Sequence, residues 1–366
     1  MRRTTTLAAI PAMALSLAGC GALDGATDPA GTPTRDNHIT VGVLMPETTN
    51  TRFANFDYPI IKSKVAELTQ KQGRVDYANA DASVSVQNQQ MQRMIDNKVD
   101  VIVLDAVDAH AIAGMVKKAK KADIPVIAYD RLAEGPIDAY ISFDNELVGE
   151  VQARTLLEGL GKNAGLSAKI VMMNGSPTDP NAAQFKRGAL SELNTVTVAA
   201  SFDTRDWSPE YAADHMAEAI DSIGKDHIAA VYSANDAMAG GIVKALKKAG
   251  VTTMPPITGQ DADLNAVQRI VSGEQYMTVY KPYVNEADTV AQMAIAKVQG
   301  HNILFDSFTR DRVDSPTNKN IPAQLVPVTA VTKANIKSTL IADGFYKVSD
   351  ICTAEYEAAC ADIGLK

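Results

Sequence analysis

The run from Ile124 to Tyr129 is short, apolar and β-branched, carries Pro125 at its start, and ends abruptly on the charged pair Asp130 and Arg131. A segment with no polar face predicts a strand buried on both sides, and such strands belong to parallel sheets covered by helices. Each strand of a parallel sheet needs a crossover before the next, and the crossover is right-handed and usually helical. The sequence supplies that alternation. ITVGVLMP (39–46), VDYANA (75–80), VDVIVLDAV (99–107) and IPVIAYD (124–130) read as four strands, and a further strand-like run leads to Asp144. Helical patterns over 52–72, 84–97 and 109–122 separate them, with Ser83 as the N-cap of the second.

The same grammar restarts after residue 144. KIVMMNG (169–175), TVTVAASFD (195–203), HIAAVYSAN (227–235) and PITGQD (256–261) are four more strand candidates, with helices near 181–193, 209–223 and 237–249. One sheet of all these strands would be unusually wide, whereas two lobes fit the count. The expected fold class is therefore α/β, two doubly wound parallel-sheet lobes joined by a three-crossing hinge. YMTVYKP (276–282) would carry the chain back to the first lobe, whose last helix runs from about 284 to 298. The expected division is 38–143 plus 282–310 for the N-terminal lobe and 144–281 plus 311–366 for the C-terminal lobe, with crossings near 143, 281 and 310 and the tail from Lys333 onward on the second lobe.

Ahead of the first strand, Arg2 and Arg3 precede an apolar stretch from Leu7 to Leu17 and then Leu-Ala-Gly-Cys at 17–20. A basic start, an apolar stretch too short to span a bilayer and a small-residue cleavage site predict a signal peptide over residues 1–19. The pattern resembles a bacterial lipoprotein signal, in which Cys20 is acylated and becomes the first mature residue. Residues 20–37, rich in Gly, Ala, Pro, Thr and Asp, read as a flexible tether. The expected location is outside the cell membrane, on its outer face or in the periplasm, held by lipid alone. Cys352 and Cys360 are left, and in an oxidising exterior they are expected to pair; two free thiols in a surface helix is the other reading. Eight residues of continuous helix would hold their Cα atoms about 12 Å apart, so a disulfide needs Cys352 outside the following helix, with Thr353 as its N-cap. The formal charge of −8 argues against a nucleic acid partner.

In open α/β sheets ligands bind beyond the carboxyl ends of the strands. Those ends carry Arg52, Phe53, Asp105, Asp130 and Arg131 in the first half, and Asp179, Asn181, Trp207, Asn235, Asp236, Asp261 and Lys281 in the second. Carboxylates, amides and a guanidinium bind neighbouring hydroxyls in bidentate fashion, and the C–H face of a pyranose suits an indole or phenyl ring. Arg131 and Lys281 would balance the buried charge of Asp130 and Asp261. The set reads as a site for a polyhydroxylated sugar, although Asp105 and Asp236 also fit simple turn or cap roles. No catalytic residue, metal site or cofactor is expected. The chain has no Gly-x-Ser-x-Gly elbow, phosphate-binding loop or dinucleotide fingerprint, and its five histidines are scattered.

The motifs AYDR (128–131), ISFDNE (141–146), GSPTDPNA (175–182), SANDAMAGG (233–241), GQDADL (259–264) and TVYKP (278–282), with VTKANI and DGFY in the tail, closely resemble the bacterial D-xylose-binding and multiple-sugar-binding proteins of ABC importers, over nearly all of 39–348. The resemblance implies a hinged, monomeric receptor that closes on one monosaccharide, D-xylose or a similar aldose, and delivers it to a membrane permease. Carried over by motif, the sugar contacts are Arg52, Phe53, Asp130, Arg131, Asp179, Asn181, Trp207, Asn235, Asp261 and Lys281, while Asp144 and Asn145 serve the hinge. Xylose binders of the family commonly have tryptophan where Phe53 stands, and PETTNT (46–51) and the cysteine-bearing tail also depart from the pattern. An exported sugar sensor presenting its closed form to a signalling partner is the alternative.

Overall fold

The computed structural model describes residues 37–365. The expected signal peptide, the lipid-bearing Cys20 and the tether up to residue 36 lie outside the described residues. The first half contains strands β1 (Thr40–Met45), β2 (Arg74–Asn79), β3 (Val101–Leu104), β4 (Val126–Tyr129) and β5 (Ala139–Phe143), with helices α1 (Tyr58–Leu68), α2 (Val84–Asp96) and α3 (Ala113–Lys121) between the first four. Then come α4 (Asn145–Leu160), β6 (Lys169–Asn174), α5 (Pro180–Glu192), β7 (Thr197–Asp203), α6 (Pro209–Ile223), β8 (Ile228–Ser233), α7 (Asp236–Lys248), α8 (Leu264–Ser272) and β9 (Thr278–Tyr280). The chain closes with α9 (Tyr283–Gln299), α10 (Asn302–Phe308), β10 (Asp311–Val313), β11 (Ile321–Val326), β12 (Thr329–Val331), α11 (Val348–Ile351) and α12 (Glu357–Asp362).

The first sheet has the order β10-β11-β5-β4-β3-β1-β2, parallel except for the β10–β11 edge pair. Strands β1, β3, β4 and β5 bury both faces, as apolar runs demand. Val41, Val43, Val103, Ile127 and Phe143 join one apolar cluster, while Leu44, Ile102, Leu104 and Ala128 join another. Each such side chain contributes roughly 1.5–3 kcal/mol of burial. The second sheet, β7-β6-β8, is parallel and packs beneath α4 to α7 around Val171, Met173, Val231 and Ile242. Of the expected strand at 256–261 only a single bridge forms, Ile257 to Val231, because the chain turns away to present residues 260–263.

Strand pairing corrects the expected division at one place. Residues 311–326, assigned by sequence to the second lobe, form β10 and β11, and β11 extends the first sheet through β5. The third crossing is therefore at 327–328 and not near 310; the other two fall between β5 and α4 and between β9 and α9. Beyond β12, which pairs with β9, the tail lies on α8, where Ile351, Cys360 and Leu365 are buried with Val267, Ile270 and Val271. A disulfide joins Cys352 to Cys360 with the Cα atoms 5.9 Å apart. Cys352 lies outside the helix, but a turn at 354–356 intervenes, so Tyr356 rather than Thr353 precedes α12. Among the described residues no helix is long and apolar enough to cross a membrane.

Candidate functional site

Both sheets point their carboxyl ends at one cleft. Arg52, Phe53, Asp130 and Arg131 from the first lobe, Asp179, Asn181, Trp207, Asn235 and Asp261 from the second, and Lys281 at the middle crossing all line a single cavity there, together with Glu47, Asn50, Phe185 and Gln260. Asp105 and Asp236 stand one layer behind.

Local sequence explains each placement. Asp130 ends β4 with a φ of 57°, a left-handed conformation that few residues other than glycine adopt. The twist turns its carbonyl onto the Tyr140 hydroxyl (2.8 Å) and the Ser142 hydroxyl (2.7 Å), which both donate to it. The carboxylate is then left to face the cleft. Asp179 combines two roles, capping α5 by accepting the Asn181 N–H at 2.8 Å through Oδ1 and meeting Arg131 through Oδ2. Asn235 caps α7 by accepting the Met238 N–H at 3.0 Å, which leaves its amide NH2 for the cavity. Trp207, also at positive φ, lies flat over Gly175; a Cβ at that glycine would stand 2.0 Å from the indole ring.

Arg52 is less a surface of the cavity than its foundation. Its guanidinium is 1% exposed and reaches Asp57 (2.8 Å), Asp130 (2.5 Å) and Glu286 (2.7 Å), with the Tyr283 ring centroid 4.2 Å away. Most of its donors are thereby spent on the protein, and its principal effect is to orient Asp130. Asp57 and Glu286 escaped the sequence reading because both lie inside helical segments rather than at strand ends, and Glu286 is also 234 positions from Arg52. Glu47 and Asn50 had a usable signal, since they follow the end of β1, as did Gln260 beside Asp261. Phe185 sits one helical turn after Asn181 on α5.

The lobes meet directly across the cleft. Asn181 donates to the Asp130 carboxylate at 2.9 Å, Arg131 Nε stands 2.8 Å from Asp179, and Asn50 donates to Asp261 at 2.8 Å. Lys281 Nζ lies 2.9 Å from Asp261. Asp144 caps α4 at the first crossing by accepting from the Leu147 N–H, whereas Asn145 donates to Asn181 at 3.0 Å and so supports the site as well as the crossing.

The charges are unevenly poised. Burial opposes ionisation of Asp130, but Arg52, Lys281 and Arg131 outweigh it and hold its carboxyl below the usual range. At Asp179 burial prevails over Arg131, and the carboxyl is pushed up. Asp105, fully buried 3.6 Å from Arg131 with no hydrogen bond to its carboxylate, is pushed well up by the same cause. The cavity thus presents fixed acceptors and donors in alternation, bounded by the rings of Phe53, Phe185 and Trp207.

The sequence profile described as periplasmic binding protein domain matches residues 41–302. The chain belongs to that family. Periplasmic binding proteins similar to it include the D-xylose-binding periplasmic protein of Escherichia coli, 36% identical over 285 residues that cover 76% of this chain and 83% of that protein. The multiple sugar-binding periplasmic receptor of Rhizobium radiobacter is 30% identical over 336 residues, 85% of this chain and 92% of the receptor. Among solved structures, an ABC transporter solute binding protein of Clostridium phytofermentans with bound β-D-glucose superposes with a TM-score of 0.77 at 29% identity, covering 85% of this chain and 99% of that one.

Proposed function

We propose that this periplasmic binding protein is the extracytoplasmic receptor of an ABC sugar importer, taking D-xylose or a similar aldose into the cleft and delivering it to the permease. The observation that carries the reading is the cavity itself: side chains from both lobes converge on it, pairing carboxylates, amides and cations with three aromatic rings. Hydroxyl groups of one sugar would exchange hydrogen bonds with both lobes at once, so the bound form would be the closed form that a permease recognises. A leader over 1–19, acylation of Cys20, a tether over 20–37 and a monomeric receptor complete the proposal. The relatives are binding proteins, and catalysis forms no part of it.

Isothermal calorimetry tests it, with protein from residue 38 onward, unfolded and refolded to remove carried sugar, titrated with xylose, glucose, galactose, arabinose and ribose. One-to-one binding of xylose is expected. Asp261→Ala and Arg131→Ala should each weaken it by 100-fold or more, roughly 3 kcal/mol, because each leaves a buried charge unpaired. Absence of heat with all five sugars would return the strand-end residues to structural roles. Loss of fatty acid labelling in Cys20→Ser tests the anchor.

A further inference from the structure

The turn that carries Asp261 runs from the edge of β9, where the Asp261 N–H donates to the Val279 carbonyl at 2.9 Å, to the start of α8 at Leu264. Asp261 and Ala262 both take positive φ, 99° and 54°, at a cost of order 1–3 kcal/mol each. The Tyr283 hydroxyl donates to the Asp261 carbonyl at 2.6 Å and the Tyr346 hydroxyl to that of Ala262 at 3.0 Å, and a buried carboxylate outside the cavity adds to these restraints. Asp236, at the first position of α7, is 1% exposed. Its Oδ2 accepts from the Asp263 N–H at 3.0 Å and the Thr278 hydroxyl at 2.8 Å, and its Oδ1 accepts from Gln275 Nε2 at 2.7 Å. The Thr278 oxygen in turn accepts the Ala262 N–H at 3.1 Å. A Cβ on Gly259 would stand 1.9 Å from Asp236 Oδ1, so the carboxylate sits hard against the backbone of the same turn.

We propose that Asp236 is a positioning residue for ligand capture: through the Asp263 N–H and the Thr278 hydroxyl its carboxylate locks the 261–263 turn that aims Asp261 into the cleft. This rests on the cleft being the sugar site. It also makes capture sensitive to pH. The charged groups facing Asp236 are Arg269 of α8, which donates to the Asp236 carbonyl at 2.8 Å, and the carboxylates of Asp261 and Asp263. Burial pushes the Asp236 carboxyl up to about 7, against the opposing pull of Arg269, Thr278 and Gln275. By linkage the buried, locked turn holds this proton more tightly than a loosened, hydrated one, so the lock is strongest below that pH and weakens as the pH rises through it and a charge has to be held without water.

The test compares the full chain with Asp236→Asn, Thr278→Val and Asp263→Asn by hydrogen-exchange mass spectrometry of residues 259–264 and by xylose calorimetry between about pH 6 and pH 8. Asp236→Asn and Thr278→Val should both speed exchange in that segment and weaken xylose by about tenfold. The parent protein should lose affinity as the pH rises through about 7, and Asp236→Asn should not. Unchanged exchange in both variants overturns the proposal. A pH profile that survives Asp236→Asn but is flattened by Asp263→Asn overturns its pH-sensing part. If the parent protein binds no sugar, the reading of the cleft fails, while the exchange data still decide whether Asp236 holds the turn.

Discussion

Asp130, Trp207 and Asp261 share a backbone conformation that costs stability, and each presents its side chain to the same cavity. The indole of Trp207 is held in place from below by Gly175. In Gly175→Ala the new methyl group would meet the ring at 2.0 Å, so the indole has to move. We expect xylose affinity to fall by about 10- to 100-fold, with overpacking costing about 1–3 kcal/mol of stability. Trp207 is the only tryptophan of the chain, so its fluorescence reports both the displacement and the binding. The residues at strand ends were legible in advance because the carboxyl edge of a parallel sheet is fixed by the strand order alone. Asp57 and Glu286 were not: Asp57 is five positions from Arg52 but sits inside a helical turn with no strand end to mark it, and Glu286, 234 positions away, meets Arg52 only through packing.

At the scale of elements, α4 and α5 cross in close contact at paired glycines. A Cβ on Gly149 would lie 2.0 Å from the Phe185 carbonyl oxygen, and one on Gly188 would lie 1.9 Å from that of Glu146. Backbone atoms cannot rotate aside, so Gly149→Ala should force the helices apart and lower stability by about 1–3 kcal/mol, read from the denaturation midpoint, although Gly149 does not line the cavity. The strand and helix alternation was readable because its central strands, β1, β3 and β4, are apolar runs. The reading missed α4, whose buried face includes Asn145, Gln152 and Thr155 and so lacks a clear apolar period. It also misassigned β10 and β11: Asp311 and Arg312 are exposed at the sheet edge, and β11 alternates between buried and half-buried positions, so neither carries a buried strand's signature.

For the molecule as a whole, the tail packs against both lobes. Phe345 stacks on Phe56 at 4.7 Å, and the Tyr346 hydroxyl donates to the Ala262 carbonyl at 3.0 Å. The disulfide closes a short loop in this tail, so replacing Cys352 and Cys360 by serine should cost about 2–3 kcal/mol. Differential scanning calorimetry should show a melting temperature about 3–4 °C lower. The position of the third crossing bears on how such a chain is made. The ribosome releases β1 to β5 well before α9 and β11, yet Val41, Val103 and Ile141 are buried in the same cluster as Val290, Ala294 and Val326. Until residue 326 has emerged, the nascent first lobe carries an uncovered apolar face and an open sheet edge beside β5, both of which invite aggregation. Fragments ending before that point should therefore be insoluble rather than yield an independently folded half.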